Sequence, residues 1–152
     1  MGSTRGETMK HLQSWMKDAY DYSCLAQCYL YAVADHSKIK LTEKQTEMYI
    51  IGGLLNGYGL GKDFFVEDPV HLMKQSWKDF CDEDIYPSVK KMDLPNGLKD
   101  LKTIEYAAVR YDYSGHSHFV LMKYGLLEYN GLEGSQCFKY GKPTAARIIE
   151  FK

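Results

Sequence analysis

The sequence predicts one α+β domain in which N-terminal helices pack on a C-terminal antiparallel sheet. Two observations carry this. The first half holds apolar segments bounded by helix caps, whereas the last third holds short runs of strand formers separated by glycine turns. A third sets the scale: 152 residues fit a single domain.

Composition narrows the classes. Hydrophobic residues make up 45% of the chain, enough for a core and too many for disorder. The formal net charge of -1 argues against a broadly basic nucleic-acid binder, so no nucleic-acid partner is expected. No run of about 18 apolar residues exists, so neither a membrane-spanning helix nor a membrane partner is expected. Residues 1–10 are polar and lack an apolar signal core, which predicts a cytoplasmic location. Residues 1–8 read as a flexible start or an expression remnant, leaving 9–152 as the domain. The four cysteines, Cys24, Cys28, Cys81 and Cys137, are then expected as thiols. The 13 tyrosines suit either strand packing or a binding surface.

Residues 9–19 form a modest helix candidate. Residues 24–34 are apolar nearly all round, as a buried central helix should be, with Asp21 and Ser23 as N-cap types ahead of it. The Asp35-His36-Ser37 segment ends it. Thr42 with Gln45 makes a capping box, and that helix should run to about Leu55. Gly57, Gly59 and Gly61 follow; without the Lys-Ser/Thr of a phosphate loop they read as a helix stop and a turn. Phe64-Phe65-Val66 is a short strand or extended piece. Asp68-Pro69 opens a helix through about Phe80. The acidic run Asp82-Glu83-Asp84 reads as an exposed loop. Pro87, Pro95, Asn96 and Gly97 mark loops. Strands are expected at 103–113, 118–124, 126–130 and 147–151, with turns at Ser114-Gly115 and Tyr124-Gly125, giving an antiparallel meander.

Three residues carry the chemistry. Cys24 begins a hydrophobic helix, where unpaired N–H groups and the helix dipole favour a thiolate. His118 heads an apolar strand and can serve as acid and base for that thiol. Asn130 ends the next strand, so pairing across Tyr124-Gly125 brings it beside His118 as the residue that orients the ring. Glu128 is an alternate for Asn130, and His116 a rival for His118. A second arrangement is a zinc site of Cys24, Cys28, His116 and His118. A plain buried thiol accounts for Cys24 equally simply. Cys81 and Cys137 read as structural, and His36 and His71 as solvated helix-end residues.

Asp21-Tyr22-Ser23-Cys24, His118-Phe119-Val120 and Glu128-Tyr129-Asn130-Gly131 resemble, in order, the motifs of the bacteriocin-processing (double-glycine peptidase-like) branch of papain-like cysteine peptidases. The ending, Gly134-Ser135 through Arg147-Ile148-Ile149-Glu150-Phe151, resembles the tail of phage- and plasmid-borne members of unknown function; residues 39–101 match no motif. The resemblance implies a papain-like fold, a cysteine nucleophile, a histidine base and a polar residue behind it. It also implies a glutamine six residues before the cysteine to complete the oxyanion hole. Asp18 stands there, and a carboxylate repels the charge it should stabilise; Gln13 is the substitute if the helix is shifted, and otherwise the hole is incomplete. Ser23 replaces the usual glycine, and Asn130 an aspartate.

Two functions follow as expectations. One is a cofactor-free thiol hydrolase, a cysteine peptidase or amidase cleaving a peptide or isopeptide amide. The other is a catalytically inactive binding or inhibitor module, phage-encoded and acting on a host protein. The first needs a reactive Cys24; the second does not.

Overall fold

The computed structural model describes residues 20–61, 64–131 and 134–152. The helix expected at 9–19 lies outside them.

Helix α1 spans Tyr20–His36. Ala26, Cys28, Ala32 and Val33 are wholly buried, so the middle of the helix is largely enclosed, as its sequence predicts. It begins earlier than expected. Asp21 and Ser23 lie inside it rather than capping it, and Cys24 sits at least one turn in. Helix α2, Glu43–Leu55, starts at the capping box: the Gln45 N–H donates to Thr42 Oγ1 (3.1 Å) and the Thr42 N–H to Gln45 Oε1 (2.8 Å). Asn56 and the glycines end it as expected. Val66 forms a single bridge with Leu60 rather than a strand. Helix α3, Pro69–Cys81, is capped by Asp68 and buries Leu72, Met73 and Trp77.

Five strands follow: β1 Pro87–Asp93, β2 Tyr106–Tyr113, β3 His116–Lys123, β4 Leu126–Tyr129 and β5 Lys142–Phe151. A short helix α4, Gln136–Tyr140, precedes β5. The helices-then-antiparallel-sheet layout agrees with the sequence, but the topology is not a plain meander. The order is β1-β5-β2-β3-β4, with every pairing antiparallel. Only β2-β3-β4 is a meander; β5 returns to lie between β2 and β1. Strand β1 carries a sequence expectation only at Pro87, as a loop residue; 88–93 carry none. Its interrupted pattern, with only Pro87 buried, hides a strand paired along its whole length with β5. Both hairpin turns of the meander have positive φ at both central residues, Ser114-Gly115 (50° and 80°) and Tyr124-Gly125 (52° and 76°). Such turns match the right-handed twist of the strands they join.

The sheet is buried on both faces. Tyr106, Ala108, Phe119, Leu121 and Ile149 pack with the helices. Ala107, Val109, Val120, Met122 and Ile148 pack with Leu94, Leu101 and Cys137. This double burial explains strands that read as continuous apolar runs instead of alternating. Some tyrosines join the core (Tyr29, Tyr106, Tyr111) and others stay exposed (Tyr86, Tyr124, Tyr140). All four cysteines are free thiols. The 82–84 run is exposed, with Lys78 reaching both Asp82 and Asp84. His36 and His71 are exposed at helix ends, His36 stacking on Phe151. Among the described residues no helix is long and apolar enough to cross a membrane.

Helix α1 and β3 run side by side in the same direction. Near one end Cys24 meets Phe119; near the other Lys123 Nζ lies 2.7 Å from Asp35, which also accepts from the Tyr106 hydroxyl. Partial burial pushes the Asp35 carboxyl up, but the hydrogen bonds from Lys123 and Tyr106 and the Lys123 charge outweigh it. The net direction is below the ordinary value of 3.8. A depressed carboxyl stabilises the fold above its unfolded value and loses that contribution as pH falls. Asp35→Asn is therefore expected to cost about 1 kcal/mol at pH 7 in urea denaturation. The gap between variant and parent should begin to close as pH drops below 3.8.

Candidate active site

The site starts from a mismatch in strand length. Strand β4 pairs with β3 only at Leu121, Met122 and Lys123, so among the described residues the edge of β3 from Val120 back to His116 has no strand beside it. Helix α1 fills part of that gap. The Phe119 N–H points out of the sheet edge and donates to Cys24 Sγ at 3.3 Å. This N–H belongs to the peptide that joins His118 to Phe119. A donor aimed at sulfur favours the thiolate over the thiol. The electrostatic help expected from the start of α1 thus comes instead from the edge of β3, because Cys24 lies inside the helix.

His118 is 1% exposed and Cys24 2%. Strand alternation puts Phe119 on the α1 face and His118 with Val120 on the other; the sulfur lies at the edge between them. His118 Nε2 is 2.7 Å from Asn130 Oδ1. A carbonyl oxygen only accepts, so Nε2 carries the proton and the neutral ring keeps its lone pair on Nδ1. Nδ1 is buried. The ring is thus held at Nε2 by Asn130.

Asn130 is delivered by the chain just before it. The Tyr124-Gly125 turn sends β4 back along β3, and the register shifts between Leu121 and Met122. Tyr129 then stacks on Tyr31 of α1, with ring centroids 3.7 Å apart, and its hydroxyl donates to Gln27 Oε1. A Cβ on Gly131 would collide with that same oxygen. Gln27 is wholly buried and sits one turn after Cys24. Sequence reasoning missed it; the available signal was a lone amide in an otherwise apolar helix, three residues from the thiol.

The other expected residues separate from this group. Glu128 is not an alternate for Asn130: it is exposed, and burial together with the charge and hydrogen bond of Asp35 pushes its carboxyl up, which places it at the Asp35–Lys123 end. His116 is exposed in the hairpin opposite Tyr113. The zinc arrangement is not assembled. Among the described residues no group of three or more His, Cys, Asp or Glu could hold a metal. Cys28 is fully enclosed, and burial, then the Cys24 charge, push its thiol well above 9.0. Cys81 donates to the Trp77 carbonyl, and Cys137 is buried, both consistent with structural roles. Gln13 and Asp18 lie outside the described residues.

A cleft of about 770 Å³ lies on the α1 face of the sheet; Cys24, His118 and Asn130 themselves do not line it. Leu25 and Phe119, the neighbours of the thiol and of the histidine, line it, as do Phe65 and Val66 on one side and Arg110 and Arg147 on its floor. No protein-family model, curated protein or solved structure matches the chain.

Gly131→Ala is expected to drive Gln27 off Tyr129 and to cost about 1–3 kcal/mol in urea denaturation. A variant as stable as the parent would show that the Gln27–Tyr129 tie does not hold this segment.

Proposed function

We propose that the protein is a thiol hydrolase of peptide or isopeptide amides, with Cys24 as nucleophile, His118 as acid and base, and Asn130 as the residue that orients the imidazole. The papain-like fold is part of this reading. The observation that supports it most is the His118 Nε2–Asn130 Oδ1 hydrogen bond of 2.7 Å, with Cys24 Sγ on the adjoining peptide. Nε2 is occupied, so proton transfer runs through Nδ1.

The steps balance simply. Nδ1 takes the thiol proton, and the thiolate attacks the amide carbon to give a tetrahedral oxyanion. The imidazolium then returns that proton to the amide nitrogen, the C–N bond breaks, and the amine leaves. A water, deprotonated by Nδ1, attacks the thioester; the acid departs and the thiol is restored. Asn130 keeps the ring from rotating during both transfers. We place this chemistry in the cytoplasm, where four free thiols persist.

A second reading rests on burial. Cys24 at 2% and His118 at 1% exposure suit a catalytically inactive module that binds or inhibits a partner protein, such as a phage product acting on a host factor.

Alkylation by iodoacetamide against pH, read by peptide mass spectrometry, separates the two. The hydrolase requires a Cys24 thiolate pKa below the free value of about 8.5, rising by at least about one unit in His118→Ala. Cys28 serves as the internal control and should stay unmodified at neutral pH, its thiol being pushed well above 9.0 by burial. Asn130→Ala should slow Cys24 alkylation at pH 7 by about tenfold, the ring being free to turn away. Cys24 alkylating no faster than Cys81, and equally in parent and His118→Ala, would sink the hydrolase.

A further inference from the structure

The cleft floor changes character along the strands. On the α1 face, β2 reads Tyr106, Ala108, then Arg110; β5 reads Ile149, then Arg147; β1 reads Val89, then Lys91. The apolar members lie under the helices. The cationic members lie beyond them, where the cleft opens. Lys91 and Arg147 are directly opposed across the β1–β5 pair, and Arg147 pairs with Ala108, one position along the same face from Arg110.

Like charges directly opposed on one sheet face destabilise a sheet. Among the described residues, the ion pairs are Lys78 with Asp82 and Asp84, Arg110 with Asp112, and Lys123 with Asp35. Lys91 and Arg147 have no carboxylate partner in that set. Arg147 is half-buried, and its guanidinium lies over the Phe119 ring, 5.6 Å from the centroid. That ring belongs to the residue whose N–H holds Cys24. Among the described residues, Glu67 is the one carboxylate that lines the cleft. The remaining walls are mostly aliphatic and aromatic.

We infer that this cleft binds an acidic peptide segment in extended form, with a carboxylate side chain held by Arg147 and Lys91 and apolar neighbours against the walls. Arg147 can take a carboxylate through two N–H groups, and Lys91 closes on it from the adjacent strand. The carboxylate offsets the repulsion between the opposed Lys91 and Arg147. Seated at Phe119, it lies close to the amide presented to Cys24. The choice of substrate rests on the hydrolase reading; the binding itself does not.

The test uses full-length Cys24→Ala protein, which cannot turn a substrate over, and fluorescence anisotropy with three fluorescein-labelled decapeptide pools. The pools differ in one fixed central residue: Glu, Gln or Lys. The Glu pool should bind about tenfold more tightly than the Lys pool at low salt, with Gln between them. Arg147→Gln combined with Lys91→Gln should reduce that preference to about twofold or less, while Arg147→Lys retains most of it. Should the double variant fail to melt cooperatively, Lys91→Gln alone, at an exposed position, must still weaken the Glu pool by about threefold. Equal binding of the three pools overturns the inference, as does an unchanged preference in a folded double variant. A labelled oligothymidylate binding as tightly as the Glu pool also overturns it, by showing a general polyanion surface. An ordinary Cys24 reactivity together with a Glu preference removes the hydrolase and leaves the acidic-peptide cleft standing. A reactive Cys24 with no Glu preference does the reverse.

Discussion

Helix α1 has no face it can give to water along its middle, and that constraint organises the molecule. Ala26, Cys28, Ala32 and Val33 are wholly buried, and Tyr29 and Leu30 nearly so. Each large apolar side chain removed from water in this way contributes about 1.5–3 kcal/mol. The helix therefore needs cover on several sides. Helices α2 and α3 supply it on one side and the sheet on the other. Small side chains let α1 come close enough to β3 for a sulfur to reach a backbone N–H. The Cys24–Phe119 hydrogen bond is thus a product of packing first. Its chemical value, a donor that favours the thiolate, follows from a fit that the core already demands.

Local signals in the sequence were reliable where the physics is local. The Thr42–Gln45 capping box, the Asp68-Pro69 helix start and the two hairpin turns are decided within a few residues, and each was readable. The pairing of His118 with Asn130 was also readable, because a two-residue turn fixes which positions face each other. What escaped depends on distant partners. Strand β1, with Lys90 and Lys91 in its middle, becomes a strand only because β5 pairs along its whole length. The insertion of β5 between β1 and β2 has no local signature. The start of α1 was misjudged because Ser23 is a good cap in isolation, whereas here it is buried inside the helix. Glu128 stood as an alternate on the same face as Asn130 because the register shift in β4 could not be seen from alternation alone.

The two ends of the α1–β3 layer differ electrically. At the Asp35 end, Lys123, Tyr106 and Glu128 surround a carboxylate that is already well supplied with donors. At the Cys24 end, cations face the opening. The same sheet face thus carries a neutralised cluster at one end and, at the other, Arg110 paired with Asp112 beside Arg147 and Lys91, which have no carboxylate partner among the described ion pairs. Strand alternation produced both, since Tyr106, Ala108 and Arg110 lie on one face of one strand.

The segment between the Tyr124-Gly125 turn and Asn130 acts as a ruler. Four residues of β4, one of them absorbed by the register shift, set how far the chain travels before Asn130 meets His118. Tyr129 marks the end of that measure against α1, and Gly131 leaves no room to slide past Gln27. A side chain in this stretch can be exchanged without changing the distance, as exposed Leu126 and Leu127 suggest. A residue added or removed cannot. The stretch is consequently free in composition and fixed in length, a tolerance opposite to that of most surface loops.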